Sequence, residues 1–440
     1  MVWKLAGAGV GLVLVLLAAN RVPLQYTLRN LTVRWKTTFL TALAFTLVIS
    51  LLVVMLAFVN GMQRMTEGTG DPSNVLVLAD GATDESFSNL SSGDLAEIES
   101  LPQIQHDAQT GRPLASRETY LIVTQPLPNA AKGKVQRRFL QVRGIENPAI
   151  AVQVHGVELL PGGKWFSEAG VQEMPGEAPA VQAVLGQGAA HELAGDRTPE
   201  ERAAARNPNR LEVGETFRIG QRRWIVTGIM ASSGSTFNSE VWAKQALIGP
   251  LFGKSNFTTL LLRTASPETA LNLKNHLTND YKKVAVNAQV EREYYASLSE
   301  TNQQFTWAIG FVTIVMAIGG VFGVMNTMFA AISQRIKDIG VLRLLGYARW
   351  QILVSFLLES LVIALVGGTL GCLLGSLSDG WTASSIVSGS SGGGKLVVME
   401  LSVDAWVWAV GIFLTLLMGG LGGLVPALSA MMKRPLEALR

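Results

Sequence analysis

The 440 residues are 48% hydrophobic, and 36 Lys and Arg against 33 Asp and Glu leave a net charge of only +3, which gives no electrostatic basis for binding nucleic acid. One cysteine, Cys372, excludes an intrachain disulfide. Long uncharged runs exclude a purely soluble protein, because about 20 consecutive apolar residues suffice to cross the hydrocarbon core.

Residues 1–22 form an extra N-terminal hydrophobic segment. Its apolar part, Leu5 to Ala19, is short for a span and resembles a signal-peptide core behind Met1-Val2-Trp3-Lys4. Cleavage would leave Arg21, Arg29, Arg34 and Lys36 outside, against the positive-inside rule. The expectation is therefore an uncleaved helix with its N-terminus outside; an interfacial or cleaved segment is the alternative. Over residues 23–37, Leu24, Leu28, Leu31 and Trp35 recur at helical spacing among basic residues, the pattern of an amphipathic helix in the inner interface. Residues 38–60 read as the first full span.

Residues 61–304 read as a large outer domain of mixed strands and helices. Strands are expected at Asn74–Ala79, Glu118–Thr124, Arg138–Ile145, Ala180–Leu185, Thr258–Arg263 and Lys283–Asn287, with a hairpin over Thr216–Met230. Ser266-Pro267-Glu268 carries the N-cap, first-turn proline and early acid that open a helix. Pro161 to Pro179 reads as an irregular link, and Gly195 to Pro199 as a polar loop. No proline occurs between Pro267 and Pro426, so Glu291 to Gln304 is expected to run as helix straight into the second span. Asn60 to Met65 extends the first span in the same way, giving two helical stalks.

Residues 305–440 hold three further spans, at 305–333, 352–377 and 403–424, with an outer loop at 378–402 and a cytoplasmic tail. Basic residues before the first span, between the second and third, and after the last all fall on one side of the membrane, which fixes the expected topology. In the third span Gly367, Gly371 and Gly375 repeat every four residues, a face that lets helices approach closely, in a dimer or against a neighbouring span. Glu359 in the same span needs a partner or water.

The most informative segment is the connector at 334–351. Its sequence, QRIKDIGVLRLLGYARWQ, is both basic and more apolar than a short loop requires, the composition of a docking element.

Three matches to chemical motifs fail on spacing or context. Gly249 to Ser255 resembles a P-loop but has three residues between its glycines where the phosphate cradle needs four. Gly389 to Gly393 fits the G-x-S-x-G pattern within a Ser/Gly linker, without the strand and helix that motif requires. His106, His155, His191 and His276 are scattered without local ligand spacing, and read as surface or loop residues. No catalytic, cofactor or metal site is expected.

The run Val324 to Gly346, VMNTMFAAISQRIKDIGVLRLLG, resembles the signature of the FtsX/MacB-like permeases of type VII ABC transporters. Val425 to Ala430 with Arg434 to Arg440 is similar to that family's C-terminal close, and Tyr26 to Leu31 with Thr37 to Leu43 to its N-terminal lead. Phe139 to Glu146, Ala183 to Leu193 and Val213 to Met230 resemble the MacB-type extracytoplasmic domain. The segment before Leu24 is extra to the usual four-span plan.

The resemblance implies an α-helical transmembrane bundle of four spans, with a fifth candidate at the N-terminus, plus a large α+β extracytoplasmic domain on helical stalks. It implies a multi-pass protein of the bacterial inner membrane that is not itself an enzyme, ATP being bound by a separate ABC ATPase subunit. Arg335, Lys337, Asp338, Ile339, Leu342, Arg343 and Gly346 are the residues expected to dock that ATPase. Further expected partners are a second permease copy or paralogue, the lipid bilayer and a membrane-fusion protein. The favoured function is export of a lipid, lipoprotein, peptide or drug; the alternative is a mechanical signalling subunit that activates a cell-wall hydrolase.

Overall fold

A computed structural model describes residues 33, 35–127, 137–231, 235–281, 283–297, 300–388 and 394–432. The expected N-terminal segment, nearly all of the amphipathic helix, the glycine run at 389–393 and the C-terminal tail lie outside the described residues. The chain divides into two compact units, one of Met1–Asn60, Phe305–Trp381 and Leu401–Arg440, the other of Gly61–Gln304 and Thr382–Glu400.

Helix α1 spans Trp35–Glu67. Its apolar part, Thr38–Met65, holds 28 residues. At 1.5 Å per residue that is roughly 42 Å, longer than a hydrocarbon core of about 30 Å.

The second unit follows in chain order as β1 (Asn74–Ala79), α2 (Ser92–Glu99), β2 (Ala115–Pro126), β3 (Arg137–Ile145), α3 (Pro148–His155), β4 (Val171–Met174) and β5 (Glu177–Gly186). Next come α4 (Gln187–Ala194), α5 (Pro199–Ala204), β6 (Thr216–Ile219), β7 (Arg222–Met230), β8 (Glu240–Lys244), α6 (Gln245–Phe252), β9 (Thr259–Arg263), α7 (Pro267–Asn275), β10 (Val286–Val290) and α8 (Glu291–Ser297). These ten strands join one mixed sheet in the order β10-β1-β9-β2-β3-β8-β5-β7-β6, with β4 on β5. Pairs β3/β8 and β5/β7 are parallel; the other pairs are antiparallel.

Strand β1 shows why its sequence is apolar without alternation. Val75 and Val77 enter one core cluster with Leu260 and Leu262, while Leu76 and Leu78 enter another with Leu261 and Trp242. Successive side chains point to opposite faces, and both faces are covered. Ser266 accepts the amide of Thr269 at 3.2 Å and starts α7 as its sequence indicates.

Three sequence expectations shift. The strand expected at Lys283–Asn287 forms at Val286–Val290, where Val286, Ala288 and Val290 bury alternately against β1. The link at Pro161–Pro179 contains β4 and a turn at Gly176, whose φ of +75° suits glycine. The polar loop ending at Pro199 is a helix start, because Thr198 and Glu201 form a reciprocal capping box.

The membrane unit resumes with α9 (Glu300–Ser333), α10 (Ile336–Leu344), α11 (Arg349–Ser376) and α12 (Ala405–Met432). The expected continuous helix from Glu291 is seen as α8 and α9; residues 298 and 299 between them lie outside the described residues. Together with α1, the helices α9, α11 and α12 are the four long and apolar enough to cross a membrane among the described residues. The loop expected at 378–402 instead carries an antiparallel ladder of β11 (Thr382–Ser388) and β12 (Gly394–Glu400), where Thr382, Ile386, Val387, Val397 and Val398 supply strand-forming residues.

The glycines of α11 pack within the chain. A Cβ on Gly367 would meet the Ala42 carbonyl oxygen at 2.5 Å, one on Gly371 the Ile49 Cβ at 2.8 Å, and one on Gly375 the Val53 Cβ at 2.6 Å. Thr46 donates its hydroxyl to the Gly367 carbonyl at 3.0 Å across this α1–α11 seam. On α12, Gly419 and Gly423 approach Ala364 and Ser360 in the same way. Gly371→Leu is expected to destabilise the bundle by about 1–3 kcal/mol through overpacking. A thermal scan with a thiol-reactive dye checks this, since Cys372 is buried and becomes reactive only on unfolding; an unchanged midpoint would argue against the seam.

Candidate functional site

The connector is built by two helix ends and a glycine. After α9 ends at Ser333, the Arg335 amide bonds the Ile332 carbonyl at 2.9 Å, tightening the last turn before α10 begins. Helix α10 stops at a C-terminal cap. The Gly346 amide donates to the Arg343 carbonyl at 3.3 Å and the Tyr347 amide to the Leu342 carbonyl at 3.2 Å. Gly346 has φ +93°, a conformation that costs a side-chain-bearing residue roughly 1–2 kcal/mol.

The two faces of α10 differ. Ile339 is buried with Ile332, Ile352, Phe356, Ala427 and Ala430. Arg335 is buried too, donating through Nη1 and Nη2 to Glu359 Oε2 and Oε1 at 2.6 and 2.9 Å. Its guanidinium carbon lies 6.0 Å from the Phe356 ring centroid. Removing one member of such a buried pair costs roughly 3–5 kcal/mol. On the outer face of α10 Val341 and Leu344 are exposed, as are Leu345 at its C-cap and Trp350 at the start of α11, Leu344 by 66% and Leu345 by 72%. Lys337, Asp338 and Arg349 are exposed beside them.

Of the residues singled out in the sequence, Lys337, Asp338 and Gly346 therefore lie on the open surface. Leu342 and Arg343 are half-buried, and Arg343 donates to the Tyr347 carbonyl at 3.0 Å. Arg335 and Ile339, from the same set, both turn inward, and the bundle uses them. Val341, Leu344 and Leu345, which belong to the connector's apolar content, and Trp350 are exposed although none was among the residues singled out for docking, because composition marks a segment as apolar without saying which apolar residues the bundle claims.

The P-loop-like run has the wrong polarity for phosphate. Gly249 lies inside α6 and Gly253, at φ +72°, caps its C-terminus. That end presents carbonyls and negative partial charge, whereas phosphate seeks a helix N-terminus. Among the described residues no group of His, Cys, Asp and Glu could hold a metal ion.

The outer unit contains a second feature that the sequence concealed. Arg143, 1% exposed, donates to Glu240 at 2.7 and 2.9 Å, to Glu118 at 2.6 Å and to Glu85 at 2.8 Å. His155 is not on the surface: its Nε2 lies 2.6 Å from Glu118 and its Nδ1 3.6 Å from Glu291. Glu291 in turn accepts the Asp71 amide at 2.9 Å and the Asn74 side chain at 2.8 Å, and Trp242 donates to Glu240 at 2.6 Å. Burial alone lowers the pKa of His155, but Glu118 and Glu291 outweigh it and push the pKa up to about 10. Glu118 is pulled below its usual value, as His155 and Arg143 outweigh the cost of its burial.

Comparison with known proteins decides the family. The MacB-like periplasmic core domain matches residues 38–280, more than half of the chain, and the FtsX-like permease C-terminal domain matches residues 310–435. The chain belongs to the FtsX/MacB-like permease family. It is accordingly a multi-pass membrane protein with an extracytoplasmic α+β domain. The ABC transporter permease YknZ of Bacillus subtilis, itself described as uncharacterized, is 30% identical over 51% of this chain and 58% of its own length. The macrolide export ATP-binding/permease protein MacB of Vibrio parahaemolyticus is 26% identical over 91% of this chain and 57% of its own. The chain thus spans little more than half the length of these relatives. The extracellular domain of YknZ, as a crystal structure, aligns at 12% identity with a TM-score of 0.31, covering 49% of this chain and 98% of that one.

The network sets a pH dependence for this permease. His155 has a folded pKa near 10 against an ordinary 6.5, so its contribution is complete below about pH 6.5 and is lost as pH rises through 10. Glu118 works oppositely: its contribution holds above 4.5 and is lost as pH falls. Denaturant titrations of the detergent-solubilised chain, followed by tryptophan fluorescence, are expected to lose on the order of a few kcal/mol between pH 7 and pH 10. His155→Gln should be less stable at pH 7 and nearly flat over that interval; a slope equal to the parent's would exclude His155 as its source.

Proposed function

We propose that this chain is the membrane subunit of an ABC transporter, coupling ATP hydrolysis by a separate ATPase subunit to conformational work in the extracytoplasmic domain. The observation that carries the reading is the two-faced connector. Its inner face is held by the third and fourth spans, and its outer face displays Val341, Leu344, Leu345 and Trp350 next to Lys337 and Arg349. Apolar side chains flanked by cations, on a short basic segment between two spans, suit a cleft on a cytoplasmic protein. Family membership supports an ATPase as that protein, since MacB relatives are described as ATP-binding/permease proteins. The work proposed is export of a lipid, lipoprotein, peptide or drug, at the bacterial inner membrane, by a permease dimer or a pair of paralogues.

Helix α1 runs unbroken to Glu67, and stiff helical continuation beyond the apolar stretch supports transmission of motion along the chain. In this reading α1 is one of the two stalks. ATP binds the partner; the chain itself supplies no catalytic group.

Affinity purification through this chain in mild detergent, with mass spectrometry, tests the proposal. An ABC ATPase with a membrane-fusion protein would support export. An ATPase with a cell-wall hydrolase would favour signalling. No ATPase would reject the docking role. Replacing both exposed leucines, Leu344→Asp with Leu345→Asp, is expected to reduce captured ATPase at least about tenfold, because each buried leucine contributes roughly 1.5–3 kcal/mol to a contact. Full capture would move the docking surface elsewhere.

A further inference from the structure

Only Gln334 and Arg335 separate the end of α9 from the start of α10. A two-residue link is ordinarily free to swivel. Here it is held from the side. The Arg335 guanidinium grips both oxygens of Glu359, with side-chain exposures of 4% and 6%. Glu359 lies on α11, ten positions past Arg349, the first residue of that helix. One turn beyond Arg335, Ile339 packs into the same core as Ile352 and Phe356 of α11. Helix α10 is therefore fastened to the third span at two points, one ionic and one apolar.

We infer that Arg335 and Glu359 are positioning residues that lock α10 to α11, so that the two move as one body when the connector is pushed. The inference rests on the proposed docking of α10 and goes beyond it, because both side chains are buried away from the exposed face of that helix. Two parallel N–H···O bonds set direction as well as distance. Burial leaves no water to take the place of either partner, so swivelling α10 would strand a charge. An apolar contact alone holds separation and leaves the angle loose. Lysine would keep the charge without the fork.

The lock has an onward path in the same unit. The face of α11 bearing Gly367, Gly371 and Gly375 is in close contact with Ala42, Phe45, Thr46, Ile49 and Val53 of α1. Displacement of α11 is thereby passed to residues 42–53 of the first span, with no flexible element between.

The test uses the full chain with Cys372→Ala, spin-labelled at Ile336→Cys, the first residue of α10 and outside the docking face, and at Leu370→Cys, purified with its captured ATPase. Label distances are measured without nucleotide and after trapping with ATP and vanadate. With the pair intact, one narrow distribution is expected, unchanged by nucleotide. Glu359→Gln and Arg335→Gln should each widen it by about twofold or more, while captured ATPase stays within about twofold of the parent. The swapped pair, Arg335→Glu with Glu359→Arg, should restore the narrow distribution, a rescue that general loss of packing would not show. Unchanged widths in the single variants, or a swapped pair as broad as they are, would overturn the inference. If the single variants do not yield monodisperse protein, Arg335→Lys carries the test: widening supports the lock, and the native width overturns it. A parent chain that captures no ATPase would sink the docking proposal, while the nucleotide-free widths would still decide the lock.

Discussion

A charge taken out of water must be matched by an opposite charge at hydrogen-bonding distance, and that constraint organises both units of this permease. In the outer unit Arg143 sits on β3 between carboxylates from three directions: Glu118 on β2, Glu240 on β8 and Glu85 from the turn after β1. The guanidinium has five donors in a fixed fork, so it can serve several carboxylates only if the strands bearing them keep their register. The pairing of Arg143 with Tyr120 across β2/β3 and with Trp242 across β3/β8 is the register in which the fork closes. His155, at the end of α3, and Glu291, at the start of α8, extend the same network. It also reaches the start of β1, through Asn74 and the Asp71 amide.

In the membrane unit the same constraint acts on one pair, Arg335 and Glu359. Their separation in sequence is bridged because α10 folds back against α11. Around them the bundle gains contact through small residues. Apolar side chains gain little by leaving lipid, so helices associate through close packing and a few polar contacts. The α11 glycines against α1, the α12 glycines against α11, and Thr46 on the Gly367 carbonyl supply both. The two kinds of fastening are complementary: glycine seams hold helices side by side, and the ion pair sets the angle of the short helix between them.

The architecture was largely legible in the residues. Apolar runs of sufficient length marked four spans, and the strand pattern marked an α+β outer domain. Turn chemistry marked the hairpin at β6/β7 and the start of α7. The connector was legible as a segment, since a short basic stretch between two spans has no need of so much Ile and Leu unless some of it meets a partner. What the sequence could not separate was which of its apolar residues face the bundle. Ile339 and Leu344 look alike in a string; one is buried and the other is mostly exposed, because a nine-residue helix shows each face only once a neighbour has covered one of them.

The sequence by itself determined the quantities set by local composition: span length, the side on which positive charge accumulates, caps, turns and strand periodicity. Only the tertiary structure decided which distant residues meet. Glu85, Glu118, His155, Glu240 and Glu291 show no ligand or pairing pattern along the chain, yet they converge on Arg143 and one another in the core. Arg335 reads as a surface cation until Glu359 is brought beside it. The physical reason is the same in both cases. A buried charge is tolerated or forbidden by the few ångströms around it, and those neighbours come from elements far apart in sequence, placed by the packing of the whole unit.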